Sequence, residues 1–254
     1  MPTTVSRLAG GMLRAVMAGI LLLRRPRPIH AHGAVFDGDL MLLEGRRASG
    51  IRWFDEPPAA TVPVVVRVSR SVGLPPWLPD VWGLGVRWEH EGRHVDLELA
   101  STGVGEPGRH VLLPRLSPSR AMMSSIFPYR SPRGPVLLAA RTMPARSLPA
   151  DLEGLREAVA RHPWVLRLYS ASPRDRWHPI GELCLRHPRA GDDPDLRFDI
   201  DRNPLPGADS YDWARALRRP SYRLAQGTAE DAGQTSASST SSAPLSIAEN
   251  DSTL

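Results

Sequence analysis

Residues 84–101, LGVRWEHEGRHVDLELAS, decide the fold. They read as two short strands, 84–90 and 94–101, split by Glu91-Gly92, a dipeptide suited to a tight hairpin turn. Strand-like runs continue on both sides. Upstream lie 34–44 (AVFDGDLMLLE) and 62–69 (VPVVVRVS), the second rich in β-branched residues. Downstream, strands are expected over 109–113, 135–142, 163–170 and 179–186, with a short helix over 150–161. Seven or eight short strands separated by turns predict an α+β protein: one antiparallel β-barrel domain with a few peripheral helices.

Composition narrows the function classes. The 254 residues are 41% hydrophobic, enough for a real core, and the formal net charge is +5. Every basic residue is an arginine, the better anchor for carboxylate and phosphate because its planar fork binds two oxygens at once. The arginines are scattered among prolines and acids, with no run of five or six, so nucleic acid is not an expected partner. The single cysteine, Cys184, excludes an internal disulfide and a cysteine-built metal site, and reads as a small apolar residue in a strand. There is no Gly-x-Ser-x-Gly elbow, no phosphate loop and no internal repeat.

The ends differ from the middle. Residues 5–23 read as a helix with one broad apolar face, packed on the domain, with loose membrane contact as the alternative; the apolar run is too short to span a bilayer. It ends in Arg24 and Arg25 rather than a small-residue cleavage site, and a cytoplasmic location is expected. Residues 195–207 (DLRFDIDRNPLPG) look like an irregular crossing of the surface. Residues 210–219 read as a helix with Ser210 as N-cap and Asp212 in its first turn. From about 227 the chain is Ser-rich and cannot build a core. The expected division is an N-terminal helix in 1–26, a barrel domain in 27–226 and a disordered tail in 227–254.

The barrel is entered through residues 27–38, RPIHAHGAVFDG. If residues 29–36 are extended, His30 and His32 point to one face, with Arg27 three residues upstream of His30. A histidine where a sheet opens suits acid–base chemistry. His30-x-His32 also suits a metal pair of a hydrolase, although the barrels that use one alternate strands with helices.

Four segments together resemble the haem catalase family: 27–38, with its arginine three residues before His-Ala-x-Gly; 64–88, with Arg-x-Ser and then Asp-x-x-Gly; PIGELCLRHP (179–188); and FDIDRNPLPG (198–207). Asp212, Arg218 and Tyr222 follow at the family's spacing into its proximal tyrosine. The resemblance spans roughly residues 27–224 and implies a shortened catalase-like barrel that binds haem b through its iron, with Tyr222 as iron ligand and His30 as distal acid–base. It implies that Ser69 orients the His30 ring, that Arg27 and Arg67 face haem propionates, and that Arg218 favours the deprotonated phenolate of Tyr222. Arg67 has a second reading as a strand arginine paired with Asp96 or Asp80.

The departures from the family also carry meaning. Ala100 and Ser101 stand where it has a peroxide-positioning asparagine, which makes Ser101 the third catalytic candidate. Val111, Leu112 and Leu113 replace aromatic residues that stack on haem. The expected activity is therefore that of a peroxidase, on hydrogen peroxide or organic hydroperoxides with an organic co-substrate, rather than fast catalase turnover. A haem carrier without catalysis, or a haem-free barrel, is the alternative. Trp53, Trp77, Trp82 and Trp88 read as core and rim packing.

Overall fold

β-Branched and aromatic residues at alternate positions build the staves of the barrel. The computed structural model describes residues 33–190 and 196–218. The chain order is β1 (Gly33–Leu42), α1 (Arg52–Asp55), β2 (Thr61–Arg70), β3 (Trp82–His90), β4 (Arg93–Thr102), β5 (Met122–Ser124), β6 (Tyr129–Ser131), β7 (Gly134–Thr142), α2 (Leu152–Arg161), β8 (Trp164–Ala171), β9 (His178–Pro188) and β10 (Asp209–Ser210). Eight strands pair antiparallel in the order β7-β5-β4-β3-β2-β1-β9-β8, and β8 returns to β7, so the wall closes on itself. Closure leaves the barrel no open edge. β6 extends from β7, and β10 pairs with β6 outside the ring.

Alternation decides which face is which. Val62, Val64, Val66 and Val68 of β2 point inward, as do Trp82, Leu84, Val86 and Trp88 of β3 and Val95, Leu97 and Leu99 of β4. The interior is filled with side chains. Trp53 of α1 enters the same core, its ring centroid 4.6 Å from that of Trp88 and 5.1 Å from that of Phe54. The β3–β4 hairpin turns in two residues: Glu91 and Gly92 both take positive φ, 51° and 72°, between the pair His90 and Arg93. That left-handed pair matches the twist of the flanking strands.

α2 packs Leu155, Ala158 and Val159 against β9 and β1. Asp151 caps its start by accepting from the Gly154 amide at 2.6 Å. Arg146 closes its end by donating to the carbonyls of Ala158, His162 and Pro163. These contacts satisfy backbone groups that a helix leaves open at its termini. Asp151→Ala is expected to cost about 1 kcal/mol, read from the midpoint of a urea unfolding curve.

Three expectations are corrected. Residues 109–113 are not a strand: a 3₁₀ turn, Gly108–His110, stands there, and only Leu112 bridges to Thr102. The turn is forced by close backbone packing, since a β-carbon on Gly103 would lie 2.9 Å from Gly108, and by buried Arg109, whose guanidinium lies over Trp177 and donates to the carbonyls of Ser172 and Asp175. The missing stave is β5, three residues long. Ser210 is not a helix cap: it pairs with Tyr129 in β10, and its hydroxyl accepts from Arg218 while the helix begins at 212. Trp77 is neither core nor rim; it is 74% exposed. The expected helix over 5–23, the residues Arg27, His30, His32 and Tyr222, and the tail from 227 lie outside the described residues.

No helix among the described residues is long and apolar enough to cross a membrane.

Candidate functional site on the outer face of the barrel

Because the core takes one face of β1–β4, a site on these strands would have to use the other, where Gly33, Ser69, Gly83 and Ser124 are themselves buried. Register lines up its residues in rows across the strands. One row is Gly33, Ser69, Gly83, Ala100 and Ser124, from β1 through β5. The next is Val35, Arg67, Gly85 and Glu98, and the next Asp37, Val65, Arg87 and Asp96. The first row carries nothing larger than a serine side chain over five strands, so it is flat.

Arginines frame the start of that row. The Arg67 guanidinium lies across Gly33, where a β-carbon would come within 2.7 Å of its Nε. A side chain at 33 would displace the flexible end of Arg67 from this position. Arg156, reaching over from α2, donates to the Gly33 carbonyl at 2.9 Å and also contacts Glu153. Two guanidinium groups thus converge on the first described residue after His32. A guanidinium can hold a carboxylate or phosphate oxygen pair; at Arg156 such a group would share the side chain with the Gly33 carbonyl and Glu153. Asp80 and Asp96, the two acids considered as Arg67 partners, are engaged by Arg70 and Arg87.

A crossing segment roofs the third row. Arg87 makes a two-pronged bond to Asp96, at 2.7 and 2.8 Å, and also donates to the Arg197 carbonyl. Asp96, fully buried, accepts in addition from the Asp199 amide and the Asn203 side chain, both at 2.8 Å. The bond from Arg87 to the Asp96 carboxylate raises the Arg87 pKa above its ordinary value, against the opposing effect of burial. The Phe198 ring lies under the Arg87 guanidinium and closes on Gly85, where a β-carbon would meet it at 2.8 Å. The irregular surface crossing expected over 195–207 is thereby docked on β3 and β4 through its described part, residues 196–207.

The site candidates separate. Ser69 and Arg67 share the outer face, two residues apart on β2 and in adjacent rows. Ser101 belongs to the opposite face: it pairs with Met123 of the core, accepts from the Trp82 amide at 3.0 Å and donates to the Leu113 carbonyl at 2.8 Å. Its neighbour Ala100 is the residue in the row with Ser69. Arg218 donates to the Ser210 hydroxyl at 3.1 Å, with its guanidinium 5.4 Å from the centre of the Phe127 ring. Burial pushes the nearby Tyr129 phenol above its ordinary pKa, and Arg218 partly opposes that shift. Sequence reading passed over Arg156, since α2 gives no sign of which strand it lies on. Among the described residues no three His, Cys, Asp or Glu side chains cluster for a metal ion.

Solved structures share this architecture. The fold is catalase-like. Catalase A from Saccharomyces cerevisiae superposes with a TM-score of 0.57 at 12% identity, over 83% of this chain and 62% of its own. A fungal catalase superposes with a TM-score of 0.55 at 14% identity, over 82% of this chain and 61% of its own. The present chain thus spans about three-fifths of the length of either catalase. No family model and no curated protein matches the sequence. At these identities the likeness concerns the catalase-like barrel itself.

Proposed function

We propose that this chain is a haem-dependent peroxidase-type oxidoreductase that uses the outer face of β1–β4. The observation that carries the reading is the flat row Gly33-Ser69-Gly83-Ala100, bordered by the Arg67 and Arg156 guanidinium groups. A planar ring with carboxylates on one edge fits that combination: small side chains let the ring approach the sheet, and two arginines meet the carboxylates. Haem bound there would supply a redox-active ferric iron for peroxide chemistry.

The chain's own residues would do the rest. Arg67 and Arg156 hold the carboxylate edge, and Arg27 adds a third cation. His30, three residues before Gly33, accepts a proton from the inner oxygen of a peroxide and returns it to the outer oxygen as the O–O bond breaks. Ser69, in the row of Gly33, orients the His30 ring. Tyr222 would hold the iron as phenolate, and Arg218, four residues earlier in the sequence, would favour that charged form. Ser101, with its hydroxyl committed to two backbone groups, contributes by holding β4 against β3 at the end of the row. The co-substrate is an organic reductant.

One observation favours a second reading. Ala100 puts a methyl group, not an amide, in the row beside Ser69, so nothing at that position donates to peroxide. A haem carrier without turnover would tolerate this.

An absorption titration with ferric haem tests the proposal. The wild-type protein is expected to give a Soret band with ferric-tyrosinate features, shifted or lost in Tyr222→Phe. His30→Ala is expected to keep the band and lose peroxide-dependent oxidation of an organic dye by about 10²-fold or more. A wild-type protein that leaves the haem spectrum unchanged would remove the haem reading. A normal band with turnover indifferent to His30→Ala would leave only the carrier.

A further inference from the structure

We infer that the loop between β2 and β3 is a docking surface for an anionic lipid bilayer. The inference is independent of the haem site. A solvated loop ordinarily shows charge to water and hides its apolar side chains. Residues 71–80, SVGLPPWLPD, do the reverse. The charged groups at its two ends are buried: Arg70 is 6% exposed and Asp80 1%. Asp80 accepts from the amides of Val72, Gly73 and Leu74, while Arg70 donates to the carbonyls of Pro75 and Leu78, and the two side chains approach to 3.5 Å.

With its backbone tied inward at both ends, the loop must turn its side chains outward. Trp77 is 74% exposed, and Val72 and Leu74 stand out beside it. The segment carrying Arg115 is pinned to the loop, since Asp80 and Arg115 exchange backbone hydrogen bonds, so Leu116, 55% exposed, joins the same surface. This is a preorganised apolar surface, ordered before anything binds, which lowers the entropic cost of docking.

Charge selects the occupant. No acidic residue lies between Glu56 and Asp80, and none between Glu106 and Asp151, a stretch that carries seven arginines. Arg115, paired to Asp80 through the backbone, borders the apolar tip, the exposed Arg120 follows five residues on, and the single acid within the loop is the buried Asp80. Tryptophan with aliphatic neighbours suits the headgroup–acyl boundary of a bilayer, and flanking arginines suit anionic headgroups. An apolar tip whose own acid is buried, joined to an arginine-bearing segment, fits that surface better than a second copy of this chain, which would bring the same positive charge against it.

The test is co-sedimentation of the full chain with vesicles of equal parts phosphatidylcholine and phosphatidylglycerol. Binding is expected, weakened by added salt and much weaker on vesicles of phosphatidylcholine alone. Trp77→Ala is expected to reduce it by about tenfold or more, the size that follows when one large aromatic no longer leaves water. The exposed position makes this variant safe for folding, and Leu116→Ser gives a second readout of the same face. Binding that survives both substitutions would come from elsewhere in the chain, residues 5–23 included, and overturns the inference. So does equal binding to neutral vesicles. Trp77-dependent self-association without vesicle binding would assign the face to a second copy, and likewise overturns it.

Discussion

Asp96→Ala is expected to lower the unfolding free energy by about 3–5 kcal/mol, the usual consequence of removing one partner from a buried ion pair. Asp96 is fully buried and its carboxylate joins β3 to the crossing segment through three groups: Arg87, the Asp199 amide and the Asn203 side chain. Without it, Arg87 keeps its charge in a site that is mostly out of water, because a guanidinium does not deprotonate. The crossing segment 196–207 then loses its principal anchors to β4. Two further variants separate the contributions. Asp96→Asn keeps acceptor capacity on one oxygen and is expected to fall between wild type and alanine. Arg87→Met combined with Asp96→Leu removes both charges and is expected to recover much of the loss, since the worst state is a lone buried charge. Urea denaturation of the four proteins checks the order. A loss under 1 kcal/mol in Asp96→Ala would mean that the clamp contributes nothing measurable to the fold.

Asp80→Ala carries the second large effect, again about 3–5 kcal/mol. The carboxylate collects amides from Val72, Gly73, Leu74 and Val81, and stands beside the buried Arg70 guanidinium. Removing it leaves Arg70 without its counter-ion and three loop amides without their acceptor. Here the damage has a local signature. Hydrogen exchange is expected to accelerate at Val72, Gly73 and Leu74 before it does so in the middle of β3. Unchanged exchange at those three amides would show that the loop is held by something other than Asp80.

Much of the barrel was legible because its staves obey simple alternation. The β2 valines, the β3–β4 hairpin and the apolar runs of β7, β8 and β9 announce themselves, and α2 begins at an acidic cap. The sequence places the eighth stave at 109–113, where Val111, Leu112 and Leu113 look like a strand. Tertiary packing overrides them: the close contact of Gly103 with Gly108 and the burial of Arg109 turn the chain, and β5 does the pairing instead. Three residues, Met122–Ser124, are too few to show a period. Ser210 failed as a cap for a similar reason, since a distant partner, Tyr129, takes its backbone into a ladder.

The candidate site was legible only in part. Arg67 and Ser69 could be placed on one face from their spacing alone. That Ser101 turns to the core while Ala100 joins Ser69 depends on the β4 register, which sequence constrains only through the hydrophobic pattern. Arg156 had no local sign at all; only the packing of α2 across β1 brings it to Gly33. The exposure of Trp77 was hidden because its outward turn is imposed by Arg70 and Asp80, two residues whose burial cannot be read from the loop itself.

The closed wall has a kinetic consequence. Since the interior is packed with Trp82, Val86, Trp88 and their neighbours, any ligand of the row at Gly33 arrives and leaves from the outside. Residence time is then set by contacts on the outer face, such as those of Arg67 and Arg156, and not by opening of the barrel. Substitutions that loosen the inner packing should speed global unfolding while leaving ligand dissociation unaltered, so the two rates can evolve separately.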